Sequence, residues 1–430
     1  MKRVIQLFLT IFIILFVFQG CKDDDELAAT GILTGTVTDA ISGDPLANVF
    51  INIFNDTTNA PIGASFTTGS NGAYTFHLEP GIYFMKLSKH KYESVPLQGS
   101  NPIPFTIEAG LSFERLVKMF PDETSNTGVI SGKVTDGTDP LGGVLIIASM
   151  SEGSSALSSV SDGEGNYYVF NVPAGSYSVK GLISGYNGDA VEASVTGNLE
   201  TSGVDLILGS GASGIFTGLV RHLSVENIEV DVALIHAATR ETIPGLISVT
   251  ENLAFTISNI PDGKYLARAT FENDNRVMDP DRIVKFGEPE VTISGGNTVD
   301  LQIDVTGAVI LVSPTNDSTT IEPMEITSTS PAFEWEAFAS TSDYVIEVSD
   351  IYGTVVWGGF SELPVKRIEI SSGQLMVNYN FDGTATVSSL EPGRVYRWRI
   401  FASKNDQLSD TGWTLISASE DQRGLIKIAE

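Results

Sequence analysis

Apolar and polar residues alternate along most of this chain with a period of two, in runs too short for helices. Tyr177-Ser178-Val179-Lys180 is representative: on a strand, its alternate residues give one face to a core and one to water. Between such runs lie turns rich in Gly, Pro, Asn and Asp. At Asn71-Gly72 and Gly165-Asn166 a glycine can take the positive φ that strains other residues. Long amphipathic helical patterns are absent. Short strands with turns at regular spacing predict β-sandwiches or barrels. The exception is Val4 to Phe18, an almost unbroken apolar run shorter than the roughly 20 residues of a spanning helix.

The alternating part repeats itself. Gly35-Thr36-Val37-Thr38-Asp39 returns as Gly132-Lys133-Val134-Thr135-Asp136, and in weaker form as Gly218-Leu219-Val220-Arg221-His222. Asn71-Gly72-Ala73-Tyr74-Thr75-Phe76 is matched by Gly165-Asn166-Tyr167-Tyr168-Val169-Phe170, and then only by Asn252-Leu253-Ala254-Phe255-Thr256-Ile257. A Pro-Gly-x-Tyr-like turn follows each time, at Pro80 to Tyr83, Pro173 to Tyr177 and Pro261 to Tyr265. Units of this length can fold without disulfides or metals.

These residues resemble the carboxypeptidase regulatory-like domain, a seven-stranded sandwich related to transthyretin-like and carbohydrate-binding-like folds. The resemblance covers residues 31–119 and 127–209, and reaches 213–307 as a divergent copy. It implies non-catalytic modules; fold alone names no ligand. Residues 308–430 have a different pattern. Ala332-Phe333-Glu334-Trp335, Tyr344-Val345-Ile346-Glu347-Val348 and Leu390-Glu391-Pro392-Gly393-Arg394-Val395-Tyr396 resemble a fibronectin type III, immunoglobulin-like sandwich of the bacterial kind. That resemblance gives Tyr396 the tyrosine-corner role, its hydroxyl bonded back to the chain. The expected fold class is all-β: tandem seven-stranded β-sandwich modules.

The first residues carry an address. Lys2 and Arg3 precede the apolar run, as in a secretory signal peptide over 1–20. Gly20 is followed by Cys21, the single cysteine in 430 residues. A lone cysteine of an exported protein makes no internal disulfide. Its place resembles the lipobox of bacterial lipoproteins, which implies a lipidated Cys21, although Phe18 and Gln19 depart from the usual aliphatic-then-small order. Lys22, Asp23, Asp24, Asp25 and Glu26 resemble the acidic export signal of Bacteroidetes surface lipoproteins. Residues 21–30 then read as a lipidated acidic tether, and the location as outer membrane, lipid-anchored and exposed at the cell surface. A multi-chain lipid anchor holds firmly, at about 0.8 kcal/mol per buried CH₂.

Charge narrows the partners. The formal net charge is −28, which opposes nucleic-acid phosphates and suits a soluble, exposed protein. Of the four histidines, His77, His90, His222 and His236, none has metal-ligand spacing. No nucleophile elbow or phosphate-binding glycine loop occurs. Asp162, Glu164 and Asn166 alternate on one glycine-rich turn, and Glu272, Asp274, Asp279 and Asp281 crowd another loop. Calcium, which takes six to eight oxygens, is the one cofactor such loops suit. A solvated turn is the simpler reading, since Asp and Asn favour turns anyway. All four tryptophans lie in the last module. Trp335 and Trp398 occupy core positions, whereas Trp357 and Trp413 are candidate ligand contacts if exposed. The expectation is therefore a non-enzymatic lipoprotein, a multi-module structural, adhesive or partner-binding rod. The alternative is a carbohydrate-binding lipoprotein that captures glycans. The membrane, through the lipid, and a protein or a glycan are the expected partners.

Overall fold

The computed structural model describes residues 30–429 except 57, 97, 99–101, 103, 123–125, 151–155, 224, 271–274, 281–287, 317–322, 351–353, 362–364 and 421–422. Residues 1–20, expected to be a signal peptide, and Cys21 to Glu26 lie outside the described residues. Among those described, every regular element is a β-strand, and no helix is long and apolar enough to cross a membrane.

One arrangement of two sheets occurs three times. In the first module Gly31–Asp39 pairs antiparallel with Ala73–Leu78 on one side and parallel with Ser112–Glu114 and Val117–Met119 on the other. The facing sheet runs Phe66–Thr67, Phe50–Asn55, Gly81–Lys89, then Tyr92–Val95 and Phe105–Ile107. The second module repeats this with Thr127–Thr135 at the centre of one sheet and Ala156–Val160, Leu145–Ser149, Gly175–Leu182 and Val191–Val195 in the other. The third places Gly214–His222 between Ala254–Ile260 and a parallel Thr298–Gly307. Its second sheet runs Thr242–Val249, Asp231–His236, Gly263–Thr270, Glu290–Ile293.

The repeated residues have identifiable jobs. Gly31–Asp39 alternates buried and half-buried positions, as its pattern predicts. A Cβ on Gly35 would overlap the Arg115 carbonyl oxygen, on Gly132 that of Val204, and on Gly218 that of Leu301. The parallel strand approaches too closely for any side chain there. Tyr74 and Tyr167 close the same spot, each donating its hydroxyl at 2.5 Å to the carbonyl of Arg115 or Val204; Phe255 fills the position in the third copy without that bond. Tyr83 and Tyr265 donate to carbonyls four residues upstream, Glu79 and Pro261. A further repeat was hidden in the sequence. Thr68, Ser161 and Thr250 are buried hydroxyls that accept the N–H of Val49, Val144 and Val230 at 3.0, 3.0 and 2.8 Å.

The fourth module pairs a three-stranded sheet, Leu311–Ser313, Ala332–Trp335 and Met376–Asn378, with a larger one centred on Asp343–Asp350 and Val395–Asn405. Phe333, Trp335, Trp357 and Trp398 fill its core. The Tyr396 hydroxyl accepts the Glu391 N–H at 3.1 Å, the bond expected of it.

The tandem order of the modules leads one to expect a rod with the four in line. The fold departs from that line. Lys86 of the first module reaches Glu241 of the third at 2.7 Å. The Arg394 guanidinium of the fourth stands 4.6 Å from the Phe120 ring centroid at the end of the first. On the Lys86 side, Phe54 and Phe84 are buried and stacked at 5.0 Å outside their own module's core, so that face of the second sheet is not left to water.

Candidate interaction surfaces

The residues singled out from sequence separate on inspection. Trp357 is 2 % exposed. Its indole N–H donates to Asp382 Oδ1 at 2.9 Å, and its ring packs on Phe333, Tyr379 and Phe381. The expected ligand contact is corrected to a core residue, because pairing opposite Val348 turns it inward. Trp413 is half-buried. Phe360 lies parallel to it at 6.3 Å, and Lys366 Nζ stands 4.1 Å from its ring centroid. Lys366 is itself held by Asp343 Oδ1 at 2.7 Å and Ser403 Oγ at 2.9 Å.

The calcium expectation at Asp162, Glu164 and Asn166 is corrected too. Asp162 is buried, and both its oxygens are occupied by donors. Oδ1 accepts the N–H groups of Glu164 and Asn166 at 3.0 and 2.9 Å. Oδ2 accepts the Ser65 N–H and hydroxyl at 3.1 and 2.9 Å. Glu164 is exposed and Asn166 half-buried. Among the described residues no group of three His, Cys, Asp or Glu side chains could hold a metal. In the other acidic loop Asp279 N–H donates to the Asp304 carbonyl, and Glu272, Asp274 and Asp281 lie outside the described residues.

Asp162 instead belongs to the joint between the first two modules, which is built from polar side chains reaching for backbone. Beside it the Gly163 N–H donates to the Gly63 carbonyl at 2.8 Å. Asn171 of the second module accepts the Lys91 N–H at 2.7 Å and donates to the Tyr92 carbonyl at 2.6 Å. Gln98 of the first module answers in the other direction. It donates to the Ala156 carbonyl and accepts the Ser158 N–H, both at 2.7 Å. Its amide thereby caps the edge strand Ala156–Val160 as another strand would. His90 Nε2 donates to the Thr127 carbonyl at 3.0 Å, and Phe50 packs on Tyr168 and Phe170. A hollow of about 10 Å³ lined by Asn52, Ser65, Ser159 and Tyr168 remains, the room of one water molecule and far too little for a sugar ring.

The joint between the second and third modules is apolar. Leu145, Ile147, Ala156 and Leu182 belong to the same core as Phe216, Leu246 and Tyr265 of the third module. At its rim Ser184 N–H donates to the Pro244 carbonyl and Gly185 N–H to that of Asn259. Lys180 Nζ donates to the Asp262 carbonyl at 3.1 Å. His236 lies close by, its Nδ1 accepting the Thr239 N–H at 3.2 Å. Burial, and after it the charge of Lys180, hold the His236 imidazole below its ordinary pKa. One turn on, Glu288 is buried between Arg240 and Arg268. The third and fourth modules meet through Asn275 N–H on Glu420 Oε1 at 2.9 Å and Ser417 Oγ–H on the Gly307 carbonyl at 2.6 Å.

The apolar joint leaves no mark in the repeats, yet the sequence holds a signal for it. Val144-Leu145-Ile146-Ile147-Ala148 and Val232-Ala233-Leu234-Ile235 are unbroken apolar runs, and their residues are buried throughout. A strand buried on both faces loses alternation.

Residues 32–102 match the family described as the carboxypeptidase regulatory-like domain. No curated protein matches the chain. Among solved structures, the Bacillus anthracis TIE protein is 15% identical, covering 64% of this chain and 51% of its own, with a TM-score of 0.19; this chain thus spans about half its length. The major pilin subunit BcpA of Bacillus cereus is 13% identical over 65% of this chain and 100% of its own, with a TM-score of 0.20. The shaft pilin SpaA from Lactobacillus rhamnosus GG is 14% identical over 43% and 98%, with a TM-score of 0.19. The match to the carboxypeptidase regulatory-like domain thus falls within the first module of this chain.

Proposed function

We propose that this protein is a non-catalytic scaffold of the cell envelope, tethered through a lipidated Cys21 and carried outward by the Lys22 to Glu26 signal. Its packed modules hold partner-binding surfaces in one fixed orientation. The observation that carries this reading is the pair of joints between the first three modules. A flexible tether of independent domains has no use for Asp162, Asn171 and Gln98 reaching across to a neighbour's backbone. The fourth module is best read as fibronectin type III-like, on the Tyr396 hydroxyl bond and the inward Trp335 and Trp398. Glycan capture is the second reading, and it rests on the half-buried Trp413.

Small-angle X-ray scattering on residues 28–430 tests the scaffold. A packed body of this length has a radius of gyration of roughly 21 Å, and four modules in line about 40 Å. A value near the larger figure would discard the fixed arrangement. Protease treatment of intact cells tests the address. Loss of the protein supports surface display, and survival equal to that of a periplasmic control refutes it. A glycan array separates the two readings: binding lost in Trp413→Ala supports capture, and silence from folded protein leaves the scaffold.

A further inference from the structure

The three equivalent edge strands of the second sheets are not treated alike. Phe66–Thr67 is only 2 residues long, and the adjoining Ser65 is held by Asp162. Ala156–Val160 is capped by the Gln98 amide. Thr242–Val249 is covered over its first half alone, where Pro244 accepts the Ser184 N–H and Ile243 and Leu246 turn into the core. Its second half runs regularly beside Asp231–His236, with Ile247 opposite Ala233 and Val249 opposite Asp231. Thr250 N–H donates to the Val230 carbonyl. In an antiparallel ladder that parity turns Ser248 toward its partner, and the peptide groups of Ile247 and Val249 toward the open edge. The Ser248 hydroxyl donates to the Val249 carbonyl at 3.3 Å, and among the described residues no other hydrogen bond closes that edge.

The side chains there are unusual as well. Ile247 is 39% and Val249 61% exposed, and Gly245 to Thr250 carries no charge or proline of the kind that blunts natural edges. Asp231, beside Val249, is half-buried; among the described residues its carboxyl has no hydrogen bond or ion pair, and burial raises its pKa.

We propose that the edge at Ile247 to Val249 is a docking rail for an extended segment of a partner protein, one carrying a Lys or Arg opposite Val249. Strand addition pairs main chain with main chain and reads alternate side chains in pockets. Strands lie about 4.8 Å apart, so a lysine on the added strand lays its stem over Val249 and brings its ammonium to Asp231. Charge selects the occupant. A second copy of this chain, with net charge −28, is repelled, and a basic segment is drawn in. The rail is short, which suits a reversible contact. This goes beyond the scaffold reading, which stands with the edge empty.

The test uses residues 28–430 and the capped peptide acetyl-Thr-Val-Thr-Lys-Thr-Val-Thr-amide, whose Val and Lys side chains share one face. Hydrogen exchange at Ile247 and Val249 should slow on adding the peptide. Binding should weaken at least fivefold in Asp231→Asn or when the peptide's Lys becomes Glu, and vanish in Ile247→Lys. Unchanged exchange at both amides, or equal affinity for Asp231→Asn, overturns the proposal. A concentration-dependent dimer that forms without peptide and dissolves in Ile247→Lys also overturns it, assigning the edge to a second copy.

Discussion

The two joints of the first three modules solve one problem with opposite physics. Between the first and second, carboxylate and amide side chains reach across to N–H and carbonyl groups, around Asp162, Asn171 and Gln98. Between the second and third, Leu145, Ile147 and Leu182 enter a core shared with the neighbour. Hydrogen bonds are directional but net only about 0.5–1.5 kcal/mol each. Apolar burial is non-directional and contributes about 25 cal/mol per Å². The polar joint therefore sets an angle, and the apolar joint supplies adhesion.

If the apolar joint is a true core, Ile147 should behave as Ile146 does, although it points at another module. Both are nearly inaccessible. Ile147→Ala and Ile146→Ala should each cost about 3 kcal/mol in denaturant unfolding. A cost below about 1 kcal/mol for Ile147→Ala alone would show that the joint is contact without packing. Next in size is Asp162→Ala, which strands four donors. We expect about 2 kcal/mol, bonds to a charged group being the stronger kind. Scattering should also show a larger radius of gyration, because the angle between the first two modules is released. An unchanged radius would pass the alignment role to Asn171 and Gln98.

How much of this was legible beforehand follows from which interactions are local. The sandwich class came from alternation, and the repeats from Gly35, Gly132 and the Pro-Gly-x-Tyr turns. These positions serve contacts inside one module, so each copy preserves them. Asp162 was noticed for the right turn and the wrong reason. Its two bonds to Glu164 and Asn166 are local, but those to Ser65 cross 97 positions of sequence. Trp357 is a candidate contact only if exposed, and nothing near it in sequence reveals Val348 and Tyr379 as the neighbours that enclose it. Gln98 and Asn171 sit in single copies without a repeat to mark them. The rod was inferred from module order, and order says nothing about Lys86 meeting Glu241.

A smaller, pH-gated effect separates the joints further. His236 beside the second module keeps a pKa below its ordinary 6.5 in the folded state. The stability tied to its neutral form is complete above the unfolded pKa, and is lost as pH falls through the depressed folded value. Protonation removes the Nδ1 acceptor for Thr239 N–H and adds a charge near Lys180. Acid should thus loosen the second–third joint before the first–second one. His236→Asn, which keeps an acceptor and does not titrate, should flatten this part of a melting-temperature profile between pH 7 and 5. An identical profile in the variant would place the acid sensitivity elsewhere.

The smallest expected effect is the most discriminating for the polar joint. Gln98 is exposed, so Gln98→Ala should cost about 1 kcal/mol or less, near the limit of an unfolding experiment. Its consequence for the edge strand should be larger than its consequence for stability. The amide matches a peptide group, donating to Ala156 and accepting from Ser158, and no other side chain of similar length does both. Gln98→Glu keeps the acceptor and loses the donor, so the Ala156 carbonyl is left facing a carboxylate. Hydrogen exchange at Ser158 should therefore quicken in Gln98→Ala. In Gln98→Glu the Ser158 N–H keeps an acceptor, and its exchange should stay near the wild-type rate while the joint weakens. Equal exchange at Ser158 in all three proteins would mean that packing around Phe50 and Tyr168, rather than the amide cap, protects that edge. The polar joint would then be closer in kind to the apolar one than its hydrogen bonds suggest.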